Sequence, residues 1–294
     1  MANLLNVVLP TFIVILIGYL WGRLKKQDIS SIVELVFWIG LPALAFTSVI
    51  DKKIVLLDAS KVWASALLVI FGAGIIAWIV FKILRQKHSG LYMSIISPNA
   101  VNIPFPIISL AYGPAGLAAA TLFYIPASLV LYTVDTYIAS GQRHWKDSLK
   151  EMLRVPALYA AVAGLAVNFG NIAVPDLVVK PLSFIAQAVT PLVLLIAGYN
   201  LSRVRMKSLP TPLLASFLRV GVGLGLGFLA VSLFHLTGIL RAVVILDSAM
   251  PAAVNTSMLA TKYKNEAELV SSVVFITTIA SLVIIPLLLH FLGN

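Results

Sequence analysis

Two short stretches, each with a proline and an asparagine, hold the residues best placed to do chemistry in this sequence. Residues 98–102 (PNAVN) and 251–255 (PAAVN) agree at four of five positions, and each interrupts a long apolar segment. Proline lacks a backbone N–H and clashes with the preceding helical turn, so each stretch predicts a broken helix. A break at membrane depth frees backbone N–H and C=O groups, which are tolerated only where protein buries them or a cavity is lined by them.

The side chains around both breaks are neutral donors, acceptors and prolines, as expected of a site for a polar ligand. If the breaks cross, the half-helices that follow them point their N-termini at the crossing, and these partly positive ends suit a carboxylate. The predicted substrate-binding residues are Asn99, Asn102, Ile103, Pro104, Pro251, Asn255 and Thr256, and the predicted crossover prolines are Pro98, Pro104 and Pro251.

Three ionisable residues lie away from the ends of the predicted helices, at depths where a charge is rare and functional by default. Asp247 lies four residues before the second break. Together with Asn99 it is a candidate site for a coupling ion, either Na+ or H+. The alternative is that Asp247 forms an ion pair with Arg241 near the outer surface. Arg219 and Asp135 lie at similar predicted depth toward the cytoplasmic side. They form either a structural ion pair or, through Arg219, an anion-attracting charge at the inner mouth.

The composition is that of an integral membrane protein. Hydrophobic residues make up 60% of the 294 residues and charged residues only 11%, against about 25% charged in soluble domains; mean hydropathy is +1.02. Without cysteine the chain has neither disulfides nor thiolate metal sites. The formal charge of +10 lies mostly in short loops between apolar segments, where the positive-inside rule explains it better than nucleic-acid binding does.

Ten apolar stretches are long enough to cross a hydrocarbon core of about 30 Å as helices. They are residues 5–22, 30–50, 60–83, 91–111, 115–139, 154–170, 179–201, 211–235, 240–261 and 266–291. The predicted fold is therefore an all-α integral membrane protein with ten transmembrane helices, of which helices 4 and 9 are broken and cross.

The distribution of Lys and Arg predicts the orientation. Of the 21 basic residues, fifteen lie in the odd-numbered loops, five in the even-numbered loops, and Arg219 lies inside a helix. Loops rich in Lys and Arg stay in the cytoplasm. We therefore expect both termini outside the cytoplasm, in the inner (plasma) membrane of a bacterium or archaeon.

The two halves of the chain match each other beyond the broken helices. Pro10 and Gly18 in helix 1 match Pro156 and Gly164 in helix 6. Because each half holds five helices, an odd number, the halves enter the membrane from opposite sides and form a 5+5 inverted repeat. The predicted units are residues 1–140, a cytoplasmic connecting loop at 141–153, and residues 154–294.

Glycines at alternate positions of helix 8 predict a close helix contact. They are Gly221, Gly223, Gly225 and Gly227. Small residues let helices approach each other, so this stripe is either a surface along which a mobile domain slides or a site of tight packing within that domain.

Both ends of the chain resemble one transporter family. Residues 249–256 (AMPAAVNT), with KY at 262–263 and EL at 268–269, are similar to the C-terminal signature of the auxin efflux carrier family. Near the start of the chain, Pro10, GY at 18–19 and LPAL at 41–44 are similar to the opening of the same family. The resemblance covers essentially the whole chain and extends to the superfamily that includes the sodium/bile acid symporters.

The resemblance implies a ten-helix transporter in which helices 1, 2, 6 and 7 form a scaffold. Helices 3–5 and 8–10 would form a mobile domain that carries the substrate at the crossing breaks. Bacterial relatives are associated with small organic acids such as malonate and malate, plant members with auxin, and a homodimer is implied. In the bile acid symporters an acidic sodium ligand lies at a place comparable to that of Asp247.

We therefore expect a secondary transporter of small organic anions that works by elevator-type alternating access in the lipid bilayer. It needs no cofactor beyond a coupling Na+ or H+ and binds no nucleic acid. The alternatives are a sodium-coupled symporter of a larger amphipathic acid, and a channel or sensor with the same fold. An enzyme is not expected, because the sequence has no Ser/His/Asp arrangement, His-Glu-x-x-His motif or aspartate pair at common depth.

Overall fold

The protein is described by a computed structural model that covers residues 2–25, 27–50, 54–141, 149, 153–203 and 209–293, with side chains from residue 9 onward. Over these ranges the regular structure is helical, apart from one isolated β-bridge. The helices are α1 (Ala2–Leu24), α2 (Ser30–Ile50), α3 (Leu56–Ile83), α4 (Gly90–Ile96), α5 (104–112), α6 (114–139), α7 (Pro156–Phe169), α8 (Asp176–Leu201), α9 (Pro210–Leu233), α10 (Gly238–Ser248), α11 (Val254–Lys262) and α12 (Ala267–Phe291).

Six helical stretches among the described residues are long and apolar enough to cross a membrane. They are α2, α3, α5 with α6, α8, α9 and α12, while α7 and the described part of α1 are shorter apolar helices. The all-helical membrane class is confirmed by these stretches. The arrangement as ten spans in two inverted repeats stays a prediction, and most of the predicted connecting loop at 141–153 lies outside the described residues.

Every predicted helix has a helical counterpart whose ends lie within a few residues of the expected ones. The helices predicted to break are interrupted between α4 and α5 and between α10 and α11. A third interruption separates α5 from α6 at Gly113, whose backbone angles (φ 64°, ψ −159°) are accessible to glycine but costly for other residues.

The first packed set contains α1, α2, α7 and α8, the counterparts of predicted helices 1, 2, 6 and 7. Helix α1 packs extensively along α8, and α2 packs extensively against α7. Glycines allow the close approach of α1 and α8: a Cβ at Gly18 would overlap the backbone oxygen of Leu195, and one at Gly198 would overlap that of Ile15. The contact is therefore backbone against backbone.

The second set contains α3 to α6 and α9 to α12. Two of the alternate glycines of α9 face α10 in this set: a Cβ at Gly223 would meet the carbonyl oxygen of Ser248, and one at Gly227 would meet its side chain. Gly225 has open space around it. These contacts favour tight packing within one helix set over a sliding surface.

The turn between α11 and α12 secures the start of α4. The Glu266 carboxylate accepts hydrogen bonds from the backbone N–H groups of Gly90 (2.7 Å) and Leu91 (3.3 Å), and it pairs with His88 Nδ1 at 2.7 Å. Free N–H groups at a helix start are satisfied in this way, and a carboxylate there is favoured by the helix dipole. The same residue thus ties α12 to α4.

Candidate substrate site at the paired helix breaks

The two helix breaks contact each other through backbone hydrogen bonds. The Asn99 N–H donates to the Pro251 carbonyl at 2.8 Å, and the Ala253 N–H donates to the Ser97 carbonyl at 3.0 Å. Together they form the antiparallel β-bridge of the structure. The backbone groups that the prolines free are therefore paired between the two sequence halves, as buried polar groups must be.

The second break is also fixed from α12. The N–H of Ala252 donates to Thr277 Oγ1 at 3.1 Å, while the Thr277 hydroxyl donates to the Val273 carbonyl at 2.7 Å. All three groups are buried. Thr277 is therefore a bridge between the irregular backbone of the break and a regular helix.

Thr277→Val is expected to lower the free energy of unfolding by about 1–3 kcal/mol, because it leaves the buried Ala252 N–H without an acceptor. The matched control is Thr278→Val. Thr278 is the adjacent buried threonine, and its hydroxyl bonds only within its own helix, to the Val274 carbonyl. Thermal unfolding of the two variants in the same detergent checks the difference, and equal losses would contradict the role given to Thr277.

A cavity of about 110 Å³ opens beside the paired breaks. Its lining comes from both helix sets: α2 and α8 on one side, and α6, α11 and the breaks on the other. The polar side chains in the lining are those of Asn99, Asn102, Tyr124, Ser128, Tyr132, Asn200 and Asn255. Over the described part of the chain, this lining includes no Lys, Arg, His, Asp or Glu, so the cavity is polar without side-chain charge.

Two asparagine side chains of the lining, those of Asn99 and Asn255, make hydrogen bonds at the breaks. Asn99 Oδ1 accepts from the Asn102 N–H at 3.0 Å. The Nδ2 atom of the same amide is buried and has no hydrogen-bond partner among the described residues. Asn255 Nδ2 donates to the Tyr132 hydroxyl at 3.3 Å. The Asn99 amide nitrogen is thus an enclosed donor beside the cavity that no described residue accepts from, and an unpaired buried donor is costly.

Helix α11 begins at this cavity. Its first residue, Val254, lines the cavity, and its N-cap residue makes no side-chain capping bond. Helix α5 begins with Pro104, which does not line the cavity, and the N–H groups of Phe105 and Ile107 are already bonded to backbone carbonyls. Backbone N–H groups at a helix start carry partial positive charge and bind anions. An uncharged cavity with one such start is suited to a small anion.

The other predicted substrate residues lie behind the lining. Ile103, Pro104, Pro251 and Thr256 are buried but do not line the cavity, whereas Pro98 does. The Thr256 hydroxyl donates to a backbone carbonyl one turn earlier, at 2.7 Å. These residues shape the breaks, and their substrate-binding role stays a prediction.

Four polar lining residues are not among the predicted site residues: Tyr124, Ser128, Tyr132 and Asn200. Tyr132 belongs to a π-helical turn, Leu131–Asp135, and Asn200 lies near the end of α8. A polar side chain in an apolar helix is the signal that could have marked all four. A second π-helical turn, Val36–Gly40, also contributes to the lining, in keeping with the frequent occurrence of such turns at functional sites.

Arg219 is fully buried and bonded to backbone. Its guanidinium donates to the carbonyls of Ile95 (2.9 Å), Ile96 (3.4 Å) and Ser248 (2.7 Å). No carboxylate of the described residues lies within 4.0 Å of it, so the ion pair with Asp135 considered from the sequence does not form. Arg219 lies at the paired breaks rather than at an inner mouth.

The two buried aspartates have no hydrogen-bond partner within the described ranges. Both oxygens of Asp135 and of Asp247 are unpaired, although the Ser97 hydroxyl lies beside Asp135 outside hydrogen-bonding geometry. Asp247 does not pair with Arg241, which is exposed. Since a buried charge is costly without a partner, these carboxyl groups are suited to carry protons.

Long apolar helices define an integral membrane protein with a polar cavity between its helices. The sequence matches the model of the membrane transport protein family over residues 4–144 and 141–289. The chain belongs to this family, that of the auxin efflux carriers, and it is a transporter rather than an enzyme.

Two archaeal relatives align with nearly the whole chain. An uncharacterized transporter of Methanocaldococcus jannaschii is 27% identical over 299 residues, covering 96% of this chain and 97% of its own. An uncharacterized transporter of Methanothermobacter thermautotrophicus is 26% identical over 295 residues, covering 95% of each chain. Both similarities extend over both helix sets and both breaks.

Proposed function

We propose that this transporter is a secondary carrier of small organic anions, with the substrate bound in the cavity at the paired breaks. The observation that carries the proposal is the cavity itself, which is lined by asparagine, serine and tyrosine side chains and by the start of α11, with no charged side chain among the described residues. Its volume of about 110 Å³ suits a small acid better than a large amphipathic one.

The position of the cavity supports transport by an elevator motion. One wall belongs to the set of α1, α2, α7 and α8, and the other belongs to the set that holds both breaks. A ligand held by the breaks would move with the second set as this set slides along the first. The proposal includes ten spans in a 5+5 inverted repeat with crossing helices 4 and 9, and a homodimer.

The proposed setting is the inner (plasma) membrane of a bacterium or archaeon, with both termini outside the cytoplasm. The concentration of Lys and Arg in the odd-numbered loops supports this orientation. The coupling ion is proposed to be H+, with Asp247 as its carrier. A proton needs only one carboxyl oxygen, whereas Na+ needs a shell of several oxygen ligands, and Asp247 is buried without partners over the described residues.

Thermal unfolding of the detergent-purified protein tests the substrate class. A panel of mono- and dicarboxylates and indole acids is compared with the matching neutral amides, each in NaCl and in KCl. A binding acid is expected to raise the free energy of unfolding by about 2.7 kcal/mol at a hundredfold excess over its dissociation constant, whereas its amide has no effect. If amides stabilise as well as acids, or no compound does, the organic-anion proposal fails.

A further inference from the structure

Two short helices end at one point inside the protein. Helix α4 ends at Ile96 and α10 ends at Ser248, and both precede the paired breaks. The carboxyl end of a helix carries partial negative charge from its unpaired carbonyls. Two such ends in a buried place therefore create a site that attracts a cation.

The breaks remove the usual partners of these carbonyls. In a continuous helix the Ile95 carbonyl would accept from the Asn99 N–H, and the Ser248 carbonyl would accept from the Ala252 N–H. Here Asn99 donates to the other break, and Ala252 donates to the hydroxyl of Thr277. The carbonyls of Ile95 and Ser248 are consequently free for another donor.

Arg219 supplies that donor to both helices at once. One terminal nitrogen, Nη1, donates to Ile95, and the other, Nη2, donates to Ser248, so the guanidinium spans the two helix ends. In membrane carriers with broken helices, unwound carbonyls and half-helix carboxyl ends are the groups that coordinate coupling cations. In this protein the guanidinium of Arg219 lies among carbonyls of that type, those of Ile95 and Ser248.

The sequence around Arg219 makes room for this placement. Arg219 lies in the π-helical turn Leu218–Val222, and Gly223 follows directly. A Cβ at Gly223 would lie 2.5 Å from both Arg219 Nη2 and the Ser248 oxygen. Glycine at this position is therefore required for the guanidinium to reach the end of α10.

We propose that Arg219 is a built-in counter-ion that takes the place of a metal cation between the carboxyl ends of α4 and α10, so that this carrier works without Na+. The inference rests on the proposed carrier function and specifies its ion dependence. The fixed charge stabilises the two helix ends in every state of the cycle, whereas a bound Na+ would do so only while present.

The test measures cation binding without any substrate, so its outcome is independent of the organic-anion panel. Thermal unfolding of wild type, Arg219→Ala, Arg219→Lys and the exposed-site control Arg241→Ala is followed in NaCl, KCl and choline chloride, with and without low-millimolar guanidinium. Wild type and Arg241→Ala are expected to show no Na+-specific shift. Arg219→Ala is expected to melt lower and to recover at least half of its loss, saturably, with guanidinium.

Three outcomes would overturn the inference. One is a saturable Na+-specific stabilisation of wild type, which would show that a metal site exists beside Arg219. The second is a guanidinium response of Arg219→Ala no larger than that of Arg241→Ala. The third applies if Arg219→Ala fails to fold. Arg219→Lys keeps the positive charge and is expected to fold with a lowered melting temperature. If Arg219→Lys also fails to fold, the positive charge is not what the site requires.

Discussion

Replacing Asn102 and Asn255 together by alanine is expected to weaken binding of a stabilising acid by about a hundredfold or more. A hydrogen bond to a charged group contributes about 1.5–3 kcal/mol, so two lost bonds correspond to at least two factors of ten in the dissociation constant. Both side chains line the cavity. The dissociation constant from ligand-dependent thermal unfolding, and uptake into proteoliposomes, measure the effect.

A matched control separates lost binding from lost folding. Asn168 in α7 lies away from the cavity and donates to the Val49 carbonyl at 2.7 Å, so Asn168→Ala removes a structural amide bond. This variant is expected to melt at a lower temperature yet bind the acid with unchanged affinity. Unchanged affinity in the Asn102/Asn255 double variant would refute the assignment of the cavity as the substrate site.

Gly198→Ala is expected to lower the free energy of unfolding by about 3 kcal/mol. The new Cβ would overlap the backbone oxygen of Ile15, so α1 and α8 would have to move apart. Overpacking costs about 1–3 kcal/mol in general, and here the neighbouring atom is backbone, which cannot rotate away. Thermal or urea unfolding in detergent measures the loss.

The same substitution at Gly225 provides the control. A Cβ at Gly225 would meet no atom within 4 Å, and the residue lies exposed in a helix. Gly225→Ala is therefore expected to be neutral or slightly stabilising, since alanine restricts the unfolded chain. Similar losses for Gly198→Ala and Gly225→Ala would show that helix flexibility, rather than the contact of α1 with α8, determines the effect.

The helices and their breaks follow from local sequence, which explains why they could be predicted. Long apolar stretches predict the helices, and the repeated motif of residues 98–102 and 251–255 predicts both breaks. Proline alone was not sufficient: Pro10, Pro126, Pro191 and Pro286 lie inside continuous helices. At the breaks an asparagine side chain and a second break satisfy the freed backbone groups, whereas an isolated membrane proline only bends its helix.

The partners of the buried polar groups could not be predicted, because they are distant in sequence and mostly backbone atoms. Arg219 was compared with Asp135 as the available opposite charge, but its acceptors are carbonyls 124 and 29 residues away. Backbone carbonyls have no sequence signature. Tyr132 did have a sequence signal, a polar side chain in an apolar helix, but the π-helical turn that holds it has no pattern in the sequence. The substrate role of the asparagines and the coupling role of Asp247 remain predictions.

The β-bridge between the breaks also constrains how the protein is made. While the first half of the chain is being inserted, the Asn99 N–H and the Ser97 carbonyl have no partner, because the second break is synthesised about 150 residues later. Contacts of such sequence separation form late in folding. The first half is therefore inserted into the membrane without these two hydrogen bonds. The cavity beside the breaks forms only after the second half has been synthesised.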